Sequence, residues 1–132
     1  GLCTGGRPRP EHLQKAAALG VKVVVNLCPP AEACDYDEAA VVAELGMRYV
    51  NIPVAGAAGL TPANVALLAA ALDGHGEEKR TLLHCASGNR VGAMLALKAK
   101  QIDGKSVAEA LAIGRAAGLT ALEPVVAQLL QA

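Results

Sequence analysis

Aromatic side chains are almost missing from this chain: there is no Phe and no Trp, and Tyr36 and Tyr49 are the only two tyrosines. The core is therefore expected to be aliphatic and rich in alanine. The same scarcity removes the stacking platforms on which single-stranded nucleic acid is held. An excess of charge of one sign is lacking too, because twelve Lys and Arg balance twelve Asp and Glu. A zero balance carries no basic footprint, which argues against a nucleic-acid partner and against an acidic membrane surface. Apolar runs such as Val65 to Leu72 fall far short of the ~20 residues that a membrane span requires. No charged-then-apolar leader opens the sequence, so a soluble, cytoplasmic protein is expected, or a periplasmic or secreted one if a signal peptide has been removed.

Metal-type spacing is absent as well. Of the four cysteines, Cys3, Cys28, Cys34 and Cys85, none forms a C-x-x-C pair, and no histidine lies between Cys28 and Cys34. A structural zinc site is not expected, and His12 and His75 have no ligand partner at metal spacing. Structural disulfides are not expected in a chain long enough to build its own core. What is present fits one compact domain over residues 1–132, with 53% apolar and 18% charged residues. Such a composition is too hydrophobic for intrinsic disorder. The sequence carries no signal for oligomeric state.

Read along the chain, strands alternate with helices. Helical composition from Glu11 to Leu19 stops at Gly20, and Val21 to Leu27 is a β-branched run ended by Pro29-Pro30. Asp37 to Leu45 reads as a helix, with Asp37 and Glu38 opening it, and Met47 to Val54 returns to extended character. Thr61-Pro62, a cap followed by a first-turn proline, opens a helix to about Leu72. Arg80 to His84 is a short apolar strand that runs into Cys85-Ala86-Ser87-Gly88-Asn89-Arg90, and a helix spans Val91 to Lys100. Two further helices are expected, near Ser106 to Arg115 and Thr120 to Gln131. This order predicts an α/β fold: a central, mostly parallel sheet of about four strands, covered by helices on both faces as a three-layer αβα domain.

In an open α/β sheet, ligands bind beyond the carboxyl ends of the strands, and Cys85 stands at such an end. The backbone N–H groups from Ala86 to Arg90 can wrap an anion, and the following helix adds the positive end of its dipole. A helix N-terminus and a neighbouring arginine favour the thiolate, the nucleophilic form of a cysteine. Arg90 offers a planar, permanently charged fork for two oxygens of a phosphate-like group, and Gly88 allows a backbone conformation closed to other residues. Cys85 is the candidate nucleophile, Arg90 the candidate oxyanion clamp, and Ala86, Ser87, Gly88, Asn89 and Arg90 the candidate substrate-binding loop. Strand alternation points His84 away from Cys85, which suits a supporting role better than that of a base. Arg7 can approach the same anion. Cys28 ends a neighbouring strand, where it either packs in the core or forms a disulfide with Cys85 on oxidation.

The run His84-Cys85-Ala86-Ser87-Gly88-Asn89-Arg90-Val91-Gly92-Ala93 resembles the active loop of the cysteine-dependent protein tyrosine and dual-specificity phosphatases, in particular their bacterial beta-lactamase-hydrolase-like branch. Gly5-Gly6-Arg7-Pro8, Val24-Val25-Asn26-Leu27, Gly46-Met47-Arg48-Tyr49, Ile52-Pro53-Val54 and Leu60-Thr61-Pro62 resemble that branch in order and spacing. The resemblance implies a phosphatase-like fold and hydrolysis of phosphate monoesters through a cysteinyl-phosphate on Cys85. It implies that Arg90 and the loop amides hold the phosphoryl oxygens, with no metal or organic cofactor. The partner is then a phosphorylated substrate or another oxyanion.

The sequence departs from that pattern in three places. Four residues separate Cys85 from Arg90 where the usual phosphatase loop has five, a length that also resembles rhodanese sulfurtransferases, in which the cysteine carries a persulfide. Val91 replaces the hydroxyl residue that often follows the arginine. The segment Ile52 to Gly59 has no carboxylate where the general acid usually stands. The acid is instead expected from the connection after Cys28, which holds Glu32, Asp35, Asp37 and Glu38, and Asp35 at its middle is the choice. Sulfur transfer and a non-catalytic anion-binding module stand as the alternative functions.

Overall fold

The computed structural model describes residues 2–30, 36–72 and 80–131. In chain order they form β1 (Leu2–Gly5), α1 (Pro10–Ala18), β2 (Val21–Asn26), α2 (Glu38–Glu44), β3 (Arg48–Asn51), a 3-10 turn at Ala57–Gly59, α3 (Pro62–Leu72), β4 (Arg80–His84), α4 (Asn89–Gln101), α5 (Val107–Ala116) and α6 (Glu123–Gln131). The four strands make one sheet in the order β1-β4-β2-β3, and every neighbouring pair is parallel. All the strands therefore end at one carboxyl edge. Among the described residues no helix is long and apolar enough to cross a membrane.

The α/β expectation holds, with differences of local cause. β1 is an element that composition does not announce: its first three residues are exposed, it ends in Gly5, and it sits at the sheet edge on β4. A short exposed strand has no buried face to impose an alternating pattern. β3 is shorter than the Met47–Val54 run, yet Ile52 and Val54 still donate to the carbonyls of Asn26 and Leu27 at 2.9 and 2.8 Å, on either side of Pro53, which has no N–H to give. α4 starts two residues before Val91, at Asn89, with Gly88 as its cap at φ +93°. Three caps lie where the sequence places them: the side chains of Asp37, Thr61 and Ser106 accept from the backbone N–H of Ala40, Asn64 and Glu109.

Two cores cover the sheet. On one face α3 to α6 pack Leu68, Met94, Leu97, Leu119, Val126 and Leu130 against Val23, Val25 and Leu83. On the other, α1 and α2 place Leu13 and Val42 over Val21 and Val24. Val21 and Val24 share a face because the register between β2 and β4 slips there: Val21 pairs with Arg80 and Val23 with Thr81, leaving Lys22 as the extra residue.

Candidate active site

The anion loop begins where β4 leaves the sheet. Cys85 is fully buried and belongs to the α4-side core, whereas His84, also at 0% exposure, turns to the opposite face. Alternation along β4 separates the two side chains as the strand geometry requires. The sulfur of Cys85 accepts from the backbone N–H of Gly88 at 3.0 Å. That contact curls the loop back over its own nucleophile, and the positive φ of Gly88 permits the curl.

Two carbonyls of the loop are held from outside. The Cys85 carbonyl oxygen lies 3.3 Å from His84 Nδ1, and the Ala86 carbonyl accepts from the backbone N–H of Arg7 at 3.1 Å. Among the described residues there is no cis peptide bond, so each N–H that follows points opposite to its carbonyl. The amide of Ala86 is thereby turned away from His84, to the side on which the Cys85 sulfur lies, and the amide of Ser87 is turned away from Arg7. Of the loop amides, that of Gly88 donates to the sulfur. Ala86 and Ser87 are exposed and Gly88 is buried.

The loop is braced on both flanks. A Cβ on Gly6 would stand 2.8 Å from the Ala86 carbonyl oxygen, so the β1 connection can approach this closely only as glycine. On the other flank the side-chain oxygen of Asn89 accepts from the N–H groups of Thr120 and Leu122 at 2.9 and 3.3 Å. The Asn89 side-chain oxygen thus caps the segment that leads into α6.

Arg90 leaves the first turn of α4 and reaches across the carboxyl edge. Its guanidinium donates to the Val54 carbonyl at 2.8 Å and to the Cys28 sulfur at 3.7 Å. It spans the ends of β2 and β3 and lies beside the loop that it closes. Cys28 and Cys85 are both buried. Behind the loop, His84 Nε2 lies 2.6 Å from Glu38 Oε2, and the Glu38 residue is only 6% exposed. Sequence reasoning missed this pair, because 46 positions separate its members and no local pattern links them. Asp35, His75, Glu32 and Cys34 lie outside the described residues.

A cleft of about 340 Å³ opens next to the loop, lined by Arg7, Cys28, Tyr36, Asp37, Tyr49 and Asn51 among others. Both tyrosines of the chain line it. Their hydroxyls are anchored, Tyr36 donating to the Pro8 carbonyl at 2.5 Å and Tyr49 accepting from Asn26 Nδ2 at 2.9 Å. Asn51 Nδ2 donates to the carbonyls of Asn26 and Cys28 and holds the floor. The cleft contains neither Cys85 nor Arg90, and it meets the loop through Arg7 and Cys28.

A loop of this build at the end of a parallel strand is matched in sequence by the family described as beta-lactamase hydrolase-like protein, phosphatase-like domain, whose model covers residues 5–102. The chain belongs to that family. As a beta-lactamase hydrolase-like phosphatase domain, it is a cysteine-based phosphatase by class. No curated protein matches it at a significant level. Among solved structures, a candidate phosphatase from Shewanella putrefaciens is 27% identical, with TM-score 0.72 over 98% of this chain and 80% of that one. A candidate phosphatase from Neisseria meningitidis is 21% identical, with TM-score 0.75 over 97% and 90% of the two chains. Pseudomonas aeruginosa TpbA, solved in complex with phosphotyrosine, is 21% identical, with TM-score 0.69 over 94% and 74%. The last two show that this phosphatase domain shares their fold.

Proposed function

We propose that this phosphatase domain hydrolyses phosphate monoesters in two steps on Cys85. The single observation that carries the reading is the Cys85 sulfur receiving the Gly88 amide at 3.0 Å while the carbonyls of Cys85 and Ala86 are held outward. In the first step the Cys85 thiolate attacks phosphorus, the S–P bond forms, the P–O ester bond breaks, and the departing oxygen takes a proton from an acid. In the second, water attacks phosphorus, a P–O bond forms as the S–P bond breaks, the deprotonated acid takes the proton of the water, and inorganic phosphate leaves with the thiolate restored. Loop amides and Arg90 bind the equatorial oxygens, whose charge rises in the transition state. The organic part of the ester lies toward the cleft lined by Tyr36 and Tyr49, which adjoins the loop at Arg7 and Cys28. Bound phosphotyrosine in TpbA, which has the same fold, supports a phosphoryl or other oxyanion ligand here.

For the acid, the connection after β2 is favoured by what its described members already do. Asp37 caps α2 through the Ala40 N–H, and Glu38 is buried against His84. Asp35 is the acid in this reading. Asp35→Asn is expected to slow a poor alkyl leaving group by about 10²-fold or more, and an activated aryl phosphate far less. Equal rates for variant and parent on the alkyl ester would remove Asp35 from the mechanism. For the reaction class, the purified chain and Cys85→Ser are assayed with an aryl phosphate and, separately, with thiosulfate and cyanide. Cys85-dependent release of phosphate without thiocyanate formation is the expected outcome, and the converse would establish sulfur transfer.

A further inference from the structure

We propose that Glu38 is a positioning residue for the anion loop. Paired with His84, it keeps the ring in the form that donates to the Cys85 carbonyl, and so sets the direction of the first amide of the cradle. The inference deepens the phosphatase reading and depends on it only for what the cradle binds.

The argument is one of hydrogen-bond arithmetic. A carbonyl oxygen only accepts, so His84 Nδ1, 3.3 Å from the Cys85 oxygen, carries a hydrogen. Nε2 faces the Glu38 carboxyl oxygen at 2.6 Å, and that short contact needs a proton as well. A neutral imidazole facing an ionised Glu38 would leave one of these acceptors unmatched inside a fully buried site, so the pair holds two protons, one on Nδ1 and one in the short contact. We place both on the ring, as the two-donor imidazolium facing the Glu38 carboxylate, rather than one of them on a neutral Glu38 acid. In that form the bond to the Cys85 carbonyl is charge-assisted. Because the peptide is trans, fixing the carbonyl fixes the Ala86 N–H on the opposite side. Arg7 performs the same service for the next peptide through its own backbone N–H.

Packing alone gives no reason for the pair. Two apolar side chains would join α2 to β4 without desolvating two charges. Glu38 in the first turn of α2 does gain from the helix dipole, but an exposed carboxylate would gain the same without burial. What only this pair supplies is a donor on Nδ1, aimed at the nucleophile's own carbonyl.

The test measures affinity of the intact chain for inorganic phosphate by calorimetry, with the rate of Cys85 alkylation by iodoacetamide as a second reading. Glu38→Gln is expected to weaken phosphate binding by about tenfold, the effect of reducing one charge-assisted hydrogen bond to a neutral one. His84→Asn places a neutral amide donor near the former Nδ1 and is expected to cost about the same tenfold as Glu38→Gln. Since Glu38 acts through His84, adding Glu38→Gln to His84→Asn is expected to cost nothing more. Phosphate affinity of folded Glu38→Gln within about twofold of the parent, or the full loss repeated in the His84→Asn background, would overturn the proposal. Should Glu38→Gln fail to fold, nitrogen NMR of His84 in the parent decides: two protonated ring nitrogens are expected, and one overturns the assignment. A parent chain that binds phosphate but turns over no ester would sink the phosphatase reading and leave this one standing. A parent that binds no phosphate would overturn both.

Discussion

The two faces of the sheet are built from different materials. Under α3 to α6 lies a continuous aliphatic core in which α4 carries Val91, Ala93, Met94, Leu95, Ala96, Leu97 and Ala99, all buried. There α4 and α5 approach through Gly92 and Gly114, with no side chain between their backbones. Under α1 and α2 the buried core is Leu13, Val21, Val24, Val42 and Met47, and beside it lie the buried Glu38–His84 pair and the tyrosine-lined cleft. The first face gives the loop a rigid helix to start from. The second aims the loop's backbone. Cohesion and alignment are thus divided between opposite sides of one sheet, and substitutions on the two sides should fail in different ways.

The sharpest break of this comparison is Glu38→Ala, which leaves His84 buried without its counter-charge. Loss of one partner from a buried ion pair costs about 3–5 kcal/mol. Chemical denaturation should show that loss, together with a fall in phosphate affinity; a variant as stable as the parent would contradict the burial argument. Next is Gly92→Ala, on the other face. A Cβ there would meet the Leu119 N–H, the Gly114 carbonyl oxygen at 2.6 Å and Leu119 Cα at 2.8 Å, all backbone atoms that cannot swing aside. The helices must separate, at a cost of about 3 kcal/mol. Its expected signature is a lower melting temperature with inorganic phosphate affinity retained in the folded fraction. Loss of affinity without loss of stability would erase the division between the faces.

Much of this was legible in the sequence for local reasons. Caps at Asp37, Thr61 and Ser106 are read from residues three positions apart, and β4 with its Cys-to-Arg loop is read from an apolar run meeting Gly88 and Arg90. β1 was not legible, because four residues on an exposed edge carry no period. Nor were the Glu38–His84 pair and the two tyrosines in one cleft, since tertiary packing alone brings those positions together. The role of the Asn89 side chain was hidden for the same reason, since its oxygen satisfies two amides 31 and 33 residues away.

The smallest effect is expected far from the loop. Arg115 donates to Glu123 at 2.7 and 3.1 Å, and this hydrogen bond holds the Glu123 carboxyl below its ordinary range. A depressed carboxyl contributes stability above its unfolded value and loses it as pH falls through the folded one. Glu123→Gln should therefore lower the melting temperature slightly in the neutral range, leave it unchanged in acid, and so flatten a slight part of the acid-side decline. Because the pair is exposed, a large change at neutral pH would contradict it.

The most direct test of the central claim is to mix the chain with an aryl phosphate, quench in the steady state, and locate the phosphoryl group by mass spectrometry of the digested protein. A phosphoryl group on Cys85, absent in Cys85→Ser together with all turnover, is the predicted result. Phosphate release that persists in Cys85→Ser, or turnover with the phosphoryl group on another residue, would contradict the account.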